Sequence, residues 1–269
     1  MLNYRSASIA FFILATLVLL LMTGWREAGW LMVPLTILYV ILLVLGSVKI
    51  CMGFYIPARC KIDTREKKLV LTFDDGPDER FTPAVLDILD RHQVKAIFFL
   101  IGRHAENHPA LVRQIADSGH GIGIHSYGHA FWFDLYGRKK MERDLQHAEE
   151  IIGGITGKKP VLFRPPYGVT NPVLAKVVKK LGYRVIGWSV RSLDTMGKNA
   201  EKLAERVIRG LHPGAVILMH DTMEITPAAL EHIIAGAKEK GYIFASPDEW
   251  LLEPTASVVG LPHKTEKKE

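Results

Sequence analysis

The sequence predicts an α/β protein, in the form of an incomplete or deformed (β/α) barrel of about seven strands that follows a two-helix transmembrane hairpin. The first observation is where the apolar residues lie: residues 1–58 contain 41 hydrophobic residues, whereas the rest of the chain has an ordinary soluble composition. The second is that short apolar runs alternate with longer amphipathic stretches beyond residue 68. The overall content of 48% hydrophobic residues and two cysteines excludes a wholly disordered chain and a disulfide-stapled scaffold.

Residues 1–58 are predicted to form the hairpin, with spans at about 6–25 and 28–48. Neither stretch carries a charge, and about 20 residues suffice for a helix to cross a hydrocarbon core of about 30 Å. Trp25 and Trp30 flank the polar turn between the spans, where interfacial aromatic residues are expected. A cleaved signal peptide is the alternative for the first stretch, but a second span follows at once and no A-x-A cleavage site is present.

The charge pattern around the hairpin bears on its orientation. A basic linker is predicted at 59–67, and residues 59–68 carry five basic and two acidic side chains. This Lys/Arg bias favours a cytoplasmic position for the C-terminal domain. The modest total charge of +6 is therefore interpreted as an orientation and lipid-surface signal rather than as a nucleic-acid-binding surface. Cys51 and Cys60, at the membrane exit, do not define the compartment.

Residues 68–252 are predicted to form one α/β domain with a mainly parallel sheet, and residues 253–269 a polar tail. Thr82, Asn171 and Thr226 each precede a proline and are expected to cap helices. The predicted strands are 69–73, 96–101, 121–125, 161–164, 184–188, 215–219 and 242–245, and the predicted helices are 83–92, 109–118, 140–155, 172–181, 200–211 and 227–240.

Reactive side chains follow these strands at their carboxyl ends. In a parallel barrel all of those ends meet at one face, where active sites assemble. Five separated polar clusters converging there are the strongest functional indication from layout alone, although each also has a structural interpretation as a turn, surface or core residue. They are Asp74 and Asp75 in TFDDGP, His125 and His129 in HSYGH, Arg164 in FRPPYG, Asp194 in RSLD, and His220 and Asp221 in LMHD.

A divalent-metal site is the chemistry that these residue types favour. His125 and His129 are spaced i, i+4, so a helical turn would aim both imidazoles the same way. With a carboxylate from another strand end they form a His₂Asp set, whose open fourth position is typical of a catalytic site. Zn²⁺ is the expected ion, and Co²⁺, Ni²⁺ and Fe²⁺ fit the same ligands.

These motifs, in this order, resemble the polysaccharide deacetylases, that is, the NodB homology domain or carbohydrate esterase family 4. The resemblance covers about residues 68–252 and includes TFDDGP, H-S-x-x-H, R-P-P-Y-G, the later Asp and L-M-H. It implies an incomplete barrel and a metal-dependent hydrolase that acts on carbon–nitrogen (non-peptide) bonds, removing N-acetyl groups from amino sugars.

The resemblance also implies a role for each motif residue. Metal ligands would be Asp75, His125 and His129. Asp74 would be the general base, paired with Arg164, and His220 would be the general acid, held protonated by Asp194. The backbone N–H of Tyr167 would donate to the oxyanion, and Leu218 would line the acyl pocket.

The sequence departs from the family pattern beside the later Asp. The fourth motif often reads D-x-x-D-W, and here Arg191 and Thr195 replace its first and last residues. Ile97 stands where the family often has Thr. The shape of the sugar groove is therefore open, and Trp132, Phe131 and Tyr167 are candidates for an aromatic surface against a sugar ring, with a core position as the alternative for the first two.

Three functions are compatible with this sequence. The first is N-deacetylation of a glycan such as peptidoglycan, or of a lipid-linked sugar, beside the lipid bilayer. The second is O-deacetylation of a polysaccharide by the same residues, and the third is non-catalytic sugar binding on the same fold. The Lys/Arg bias favours a cytoplasmic catalytic domain and a lipid-linked sugar as substrate. The usual location of the family's members instead favours an extracytoplasmic domain and peptidoglycan as substrate.

Overall fold

A computed structural model describes residues 3–247, so the predicted tail at 253–269 and the last residues of the predicted catalytic domain lie outside the described residues. The chain begins with two apolar helices, α1 (Tyr4–Leu21) and α2 (Met32–Val48), joined through a 3₁₀ helix at Arg26–Leu31. Asn3 and Ser6 close the start of α1 with a reciprocal capping box. By length and composition, α1 and the continuous helical stretch Arg26–Val48, which joins the 3₁₀ helix to α2, could each cross a membrane.

The rest of the described chain builds one curled sheet in which every strand pairing is parallel. The order is β1-β6-β5-β4-β3-β2-β8-β7, with β9 also paired to β2, so the sheet is a half-barrel. This confirms the predicted fold class. The strands are β1 (Ala58–Arg59), β2 (Lys68–Asp74), β3 (Ala96–Leu100), β4 (Gly121–Ile124), β5 (Leu162–Phe163), β6 (Arg184–Ile186), β7 (Val190–Arg191), β8 (Ala215–His220) and β9 (Ile243–Phe244).

Seven helices connect and cover these strands. They follow the predicted βα alternation, with one addition: α4, a helix of six residues that the sequence did not predict. The helices are α3 (Thr82–Arg91), α4 (Gly102–Asn107), α5 (Pro109–Asp117), α6 (Arg138–Thr156), α7 (Pro172–Leu181), α8 (Ala200–Gly210) and α9 (Thr226–Glu239).

The strands have two buried faces because the sheet curls around its own interior while helices cover its outside. In β2, Leu69, Leu71 and Phe73 belong to the large core between sheet and helices. The alternate residue Val70 belongs to the smaller core inside the curl. Since side chains alternate along a strand, Thr72 and Asp74 continue the inward row, which leads from the inner core to the polar end of the barrel.

Two of the predicted helix caps have a different role. The Thr82 and Thr226 hydroxyls do not cap α3 and α9 but donate to buried carboxylates, Thr82 to Asp221 at 2.6 Å and Thr226 to Asp194 at 3.0 Å. A hydrogen bond to a buried charged group is stronger than one to a helix N–H, which explains the preference. Asn171 caps α7 as predicted, accepting from the Leu174 N–H at 2.8 Å.

Candidate active site

The strand register brings the first and last polar motifs together. Asp74 and His220 are direct partners across the pairing of β2 with β8, at the carboxyl end of both strands. Thr72 and Leu218, two residues earlier in each strand and on the same face of the sheet, are also partners. This edge of the sheet therefore presents a carboxylate and an imidazole side by side above a floor of Thr72 and Leu218.

Asp75, His125 and His129 form a compact group of possible metal ligands, with all three ligand atoms within 4.8 Å of one another. The Asp75 Oδ1 atom lies 3.5 Å from His125 Nε2 and 3.4 Å from His129 Nε2. It is buried and has no hydrogen-bond partner. A buried carboxylate oxygen between two imidazole nitrogens, too far away for good hydrogen bonds, fits a divalent cation held by all three residues.

The two histidines are oriented by contacts behind them. His125 Nδ1 lies 2.8 Å from the Arg164 carbonyl oxygen, so it carries the proton and leaves Nε2 free to bind a metal. Burial and the neighbouring His125 lower the pKa of His129, which keeps its ring neutral. Neutral imidazoles are the form that binds metals.

The predicted helical turn between the histidines is absent. Residues 125–129 form an irregular bend in which Ser126 and His129 have positive φ values of 64° and 45°. The Ser126 hydroxyl accepts a hydrogen bond from the His129 N–H at 2.9 Å and stabilises this bend. The imidazoles converge because of the bend, with ring centroids 4.9 Å apart, and not because of i, i+4 helical geometry.

Asp74 is held by a fully buried arginine. Arg164 Nη1 donates to Asp74 Oδ1 at 2.6 Å and contacts the Thr72 hydroxyl at 2.8 Å. Its other donors reach the carbonyl oxygens of Ile186 and Gly187, at 3.2 Å and 2.9 Å. Desolvation lowers the pKa of Arg164 and the Asp74 charge raises it, so the guanidinium depends on its carboxylate partner. The second oxygen, Asp74 Oδ2, lies 3.9 Å from His125 Nε2 and faces the metal-ligand group.

His220 also borders the metal-ligand group and is supported by Asp194. Its Nδ1 lies 2.7 Å from Asp194 Oδ1, and its backbone N–H donates to Asp194 Oδ2 at 2.7 Å. Burial alone would lower the pKa of His220, but the hydrogen bond and charge of Asp194, together with Asp74 and Asp75, raise it to about 9. Its Nε2 lies 4.0 Å from Asp75 Oδ2 and thus points into the site with a proton to give.

The loop after β5 adds a backbone donor and an aromatic ring. Tyr167 has a positive φ of 59° within a 3₁₀ turn at Pro166–Gly168, a conformation that only surrounding contacts maintain. Its ring is half exposed and lies edge-on to His129, with centroids 4.8 Å apart. The ring of Tyr167, the residue whose N–H is the predicted oxyanion donor, thus lies next to the metal-ligand group.

The other predicted substrate contacts differ in exposure. Leu218 is buried, on the same face of β8 as His220. Trp132 is 62% exposed and Phe131 68% exposed, so neither is a core residue. Phe131 lies between Trp132 and Tyr167, with ring centroids 4.7 Å and 6.2 Å away, and the three rings form an exposed aromatic surface beside the site. Ile97 is buried inside the curl.

Several supporting residues were missed by reasoning from the sequence. Thr72 shares Arg164 with Asp74, and the strand pattern could have revealed it as a hydroxyl in the inward row. Asp221 is the last residue of the LMHD motif, and the sequence predicts no role for it. It is buried behind the Asp75 turn, and a Cβ on Gly76 would lie 2.2 Å from its Oδ2 atom. Burial raises the pKa of Asp221 to about 7. Its partner Thr82 gave no signal beyond a helix start.

Comparison with known proteins places this geometry among polysaccharide deacetylases. The polysaccharide deacetylase family model matches residues 61–186. The peptidoglycan-N-acetylmuramic acid deacetylase PdaA of Bacillus subtilis is 36% identical over 71% of this chain and 74% of its own length. The chain spans only 42% of the length of another relative, the 34% identical peptidoglycan-N-acetylglucosamine deacetylase PgdA of Listeria monocytogenes.

Solved structures agree with these relatives on the fold. The Bc1960 peptidoglycan N-acetylglucosamine deacetylase is 35% identical with a TM-score of 0.68, covering 72% of this chain and 91% of its own. BA3943 of Bacillus anthracis, described as a carbohydrate esterase family 4 pseudoenzyme, is 30% identical with a TM-score of 0.67, covering 71% and 68%. The same fold therefore includes both deacetylases and a protein described as a pseudoenzyme. The fold alone does not determine activity, which depends on the residues of the site.

Proposed function

The chain belongs to the polysaccharide deacetylase family, and from this premise we propose that it is a metal-dependent hydrolase that removes N-acetyl groups from the amino sugars of a peptidoglycan-type glycan. The observation that carries the proposal is the convergence of Asp75, His125 and His129 between a base, Asp74, and an acid, His220. The catalytic domain is assigned to residues 68–252, behind a membrane hairpin at 1–58 and a basic linker at 59–67.

Asp75, His125 and His129 would hold one divalent cation, with Zn²⁺ as the expected ion. An ion bound there would polarise the acetyl carbonyl and lower the pKa of the attacking water. The three residues supply one negative charge and two neutral ligands, and they leave room for water and substrate, as a catalytic site requires.

Asp74 is proposed as the general base. Its Oδ1 atom is fixed by Arg164, which leaves Oδ2 directed toward the metal-ligand group to take the proton from the attacking water. Because Arg164 is fully buried and shares its donors with two backbone carbonyls, it holds the carboxylate in one position.

His220 is proposed as the general acid. An amine leaves as a neutral group only if it receives a proton, and His220, the cross-strand neighbour of Asp74, has its Nε2 4.0 Å from Asp75 Oδ2 at the metal-ligand group. Asp194 binds the opposite ring nitrogen and keeps the ring protonated at neutral pH. The base and the acid would thus both border the metal-ligand group, the base acting on the attacking water and the acid on the departing amine.

The remaining contacts would position the substrate. The Tyr167 N–H is proposed to donate to the developing oxyanion, a contribution typically worth about 3–4 kcal/mol. Leu218 would contact the acetyl methyl group from the floor. Trp132 and Tyr167 would present aromatic faces to sugar rings, in place of the tryptophan that the family often carries where Thr195 stands here.

We further propose that the catalytic domain lies outside the cytoplasm. Cys51 and Cys60 form a disulfide, with Cα atoms 5.8 Å apart, directly after the second apolar helix. Structural disulfides persist in oxidising compartments and are rare in the cytosol. The disulfide supports an extracytoplasmic domain against the Lys/Arg bias, and that side of the membrane is where peptidoglycan, the substrate named for the relatives, is found.

The direct test is product analysis with the purified full-length protein in detergent. N-acetylglucosamine oligomers, peptidoglycan and acetylated xylan are compared for release of acetate and, for the amino sugars, for new free amines. Removing the base with Asp74→Asn is expected to lower kcat on amino sugars by about 10²–10⁴-fold. Asp117→Asn, a change at an exposed carboxylate on α5, serves as the matched control and should leave kcat unchanged.

Each outcome of this test has a defined meaning. Release of acetate from xylan alone would replace the proposal with O-deacetylation. Equal rates for the wild type and Asp74→Asn would exclude the assigned base. Absence of release from every substrate would support a sugar-binding role without catalysis.

A further inference from the structure

We propose that the end of the second membrane helix and the exit segment after it, residues 46–60, form a positioning element of the active site. Ser47 and Thr170 would fix the loop that carries Tyr167, and the Cys51–Cys60 disulfide would support the strand end that holds Arg164. This inference rests on the proposed function of the same site, because it assigns the anchor a part in that catalysis beyond attachment to the membrane.

The first contact is between α2 and the loop after β5. The Thr170 N–H donates to the Ser47 carbonyl at 3.0 Å, and its hydroxyl donates to the Gly46 carbonyl at 3.2 Å. In return the Ser47 hydroxyl donates to the Thr170 carbonyl at 2.7 Å. The last carbonyls of a helix have no partner within the helix, so the loop caps α2 while α2 fixes the loop.

This contact reaches the reacting atoms over a short distance along the chain. Thr170 is buried and lies only three residues after Tyr167, whose positive φ needs external support. Between them Gly168, at a φ of 70°, lies so close to Trp188 that a Cβ would come within 2.4 Å of the indole. The loop is therefore held by α2 at one end and by Trp188 in the middle.

The second contact is between the disulfide and the residues that hold Arg164. A Cβ on Gly187 would lie 2.4 Å from Cys60 Sγ, so the disulfide packs directly against this backbone. The Gly187 carbonyl accepts from Arg164 Nη2 at 2.9 Å, and its N–H donates to the Arg59 carbonyl at 2.9 Å. The exit segment thus supports both the loop that carries Tyr167 and the arginine that orients Asp74.

The test uses the full-length chain in detergent or nanodiscs and a pair of matched variants. Thr170→Val keeps the shape of the side chain and removes its hydroxyl, whereas Thr170→Ser keeps the hydroxyl. We expect Thr170→Val to lower kcat about 10-fold through displacement of the oxyanion donor, with KM and Zn²⁺ affinity unchanged. Thr170→Ser should restore kcat, and Thr16→Val, at an exposed position of α1, should have no effect.

Hydrogen exchange provides a readout that is independent of activity. Peptides covering residues 165–171 should exchange faster in Thr170→Val than in the wild type and Thr170→Ser, while peptides of the sheet should not change. Equal kcat in both Thr170 variants and the wild type, or unchanged exchange of this loop, would overturn the proposal. A wild-type protein without deacetylase activity would refute the proposed function, and exchange would still decide whether α2 holds the loop.

Discussion

Asp74 and Asp75 are adjacent in the chain, yet the backbone gives them different partners. Asp74 ends β2 in the inward row and meets Arg164, whereas Asp75 has a φ of 74° that turns its carboxylate toward the two histidines. A non-glycine residue in this conformation costs about 1–3 kcal/mol and persists only where its surroundings enforce it. Among residues 3–247, five of the six such positions lie in the loops of the site: Asp75, Ser126, His129, Tyr167 and Leu193.

A single substitution beneath Asp75 tests whether this strained turn holds the metal-ligand group. Gly76→Ala would place a Cβ 2.2 Å from the Asp221 carboxylate, which is buried and cannot retreat into solvent. We expect the free energy of unfolding to fall by about 1–3 kcal/mol and Zn²⁺ affinity to fall with it. Thermal unfolding and calorimetric Zn²⁺ titration measure both effects.

The control for this substitution is Gly154→Ala, in α6. A Cβ there meets nothing within 4 Å, so the variant should keep its Zn²⁺ affinity and gain up to about 1 kcal/mol of stability from helix propensity. Equal Zn²⁺ affinity in Gly76→Ala and Gly154→Ala would show that the turn does not position the ligands.

The sequence indicated which residues are reactive, but it did not indicate which residues hold them in place. Asp74, His125 and His220 could be found because each follows an apolar strand, and parallel strands end at one edge. The contacts of Thr82 and Asp221 could not be predicted, because the two residues are far apart in the chain and meet only after folding. The bend at Ser126 was also hidden, since the histidine spacing suited a helix equally well.

At the scale of secondary structure, most elements were predictable, and the strands and the helix that were missed are all short. β2, β3 and β8 are the longest strands, are mostly apolar and lie close to their predicted positions. The structure adds β1 and β7 to the seven predicted strands, and each has only two residues, too few to show a period. These short strands exist because their neighbours in the sheet offer hydrogen-bond partners, which is a tertiary effect.

A buried histidine between α5 and β4 makes the stability of the folded protein sensitive to acid. His120 is buried, and its Nδ1 accepts a hydrogen bond from the Ala96 N–H at 3.2 Å, which requires a neutral ring. Burial, with a smaller effect from Lys95, lowers its pKa from 6.5 to about 4. Between these values the unfolded chain binds a proton that the folded protein does not, so stability is full above pH 6.5 and decreases toward pH 4.

This effect predicts a difference between two histidine variants. His120→Asn can still accept from the Ala96 N–H and cannot titrate, so it should remove up to about 3 kcal/mol of the stability loss between pH 6.5 and 4. His232→Asn, at an exposed position of α9, should leave the pH dependence unchanged. The pH dependence of the free energy of unfolding is measured for each variant between pH 6.5 and 4. Identical slopes for His120→Asn and the wild type would contradict a role of His120 in the acid sensitivity.

At the scale of the whole molecule, the hairpin and the sheet are joined by specific contacts. The disulfide at the membrane exit and the hydrogen bonds between Ser47 and Thr170 connect α2 to strands and loops of the site. The sequence predicted a hairpin and a domain, but it could not predict these contacts, because neither Cys51 nor Thr170 belongs to a recognisable motif.

The disulfide predicts the topology of the chain. A C-terminal alkaline phosphatase fusion should be active in cells and a cytoplasmic fluorescent reporter inactive, because Cys51 and Cys60 pair in an oxidising compartment. In the same cells both cysteines should resist maleimide labelling until they are reduced. An inactive phosphatase fusion together with freely labelled cysteines would place the domain in the cytoplasm, as the Lys/Arg bias suggests.

The proposed catalysis depends on a divalent ion held by Asp75, His125 and His129. The most direct measurement is deacetylation of N-acetylglucosamine oligomers by the full-length protein before and after complete chelation, with metal content determined on the same samples. We predict that activity falls to background and returns when one Zn²⁺ per chain is restored. Undiminished activity in protein shown to be free of metal would contradict metal-dependent catalysis at this site.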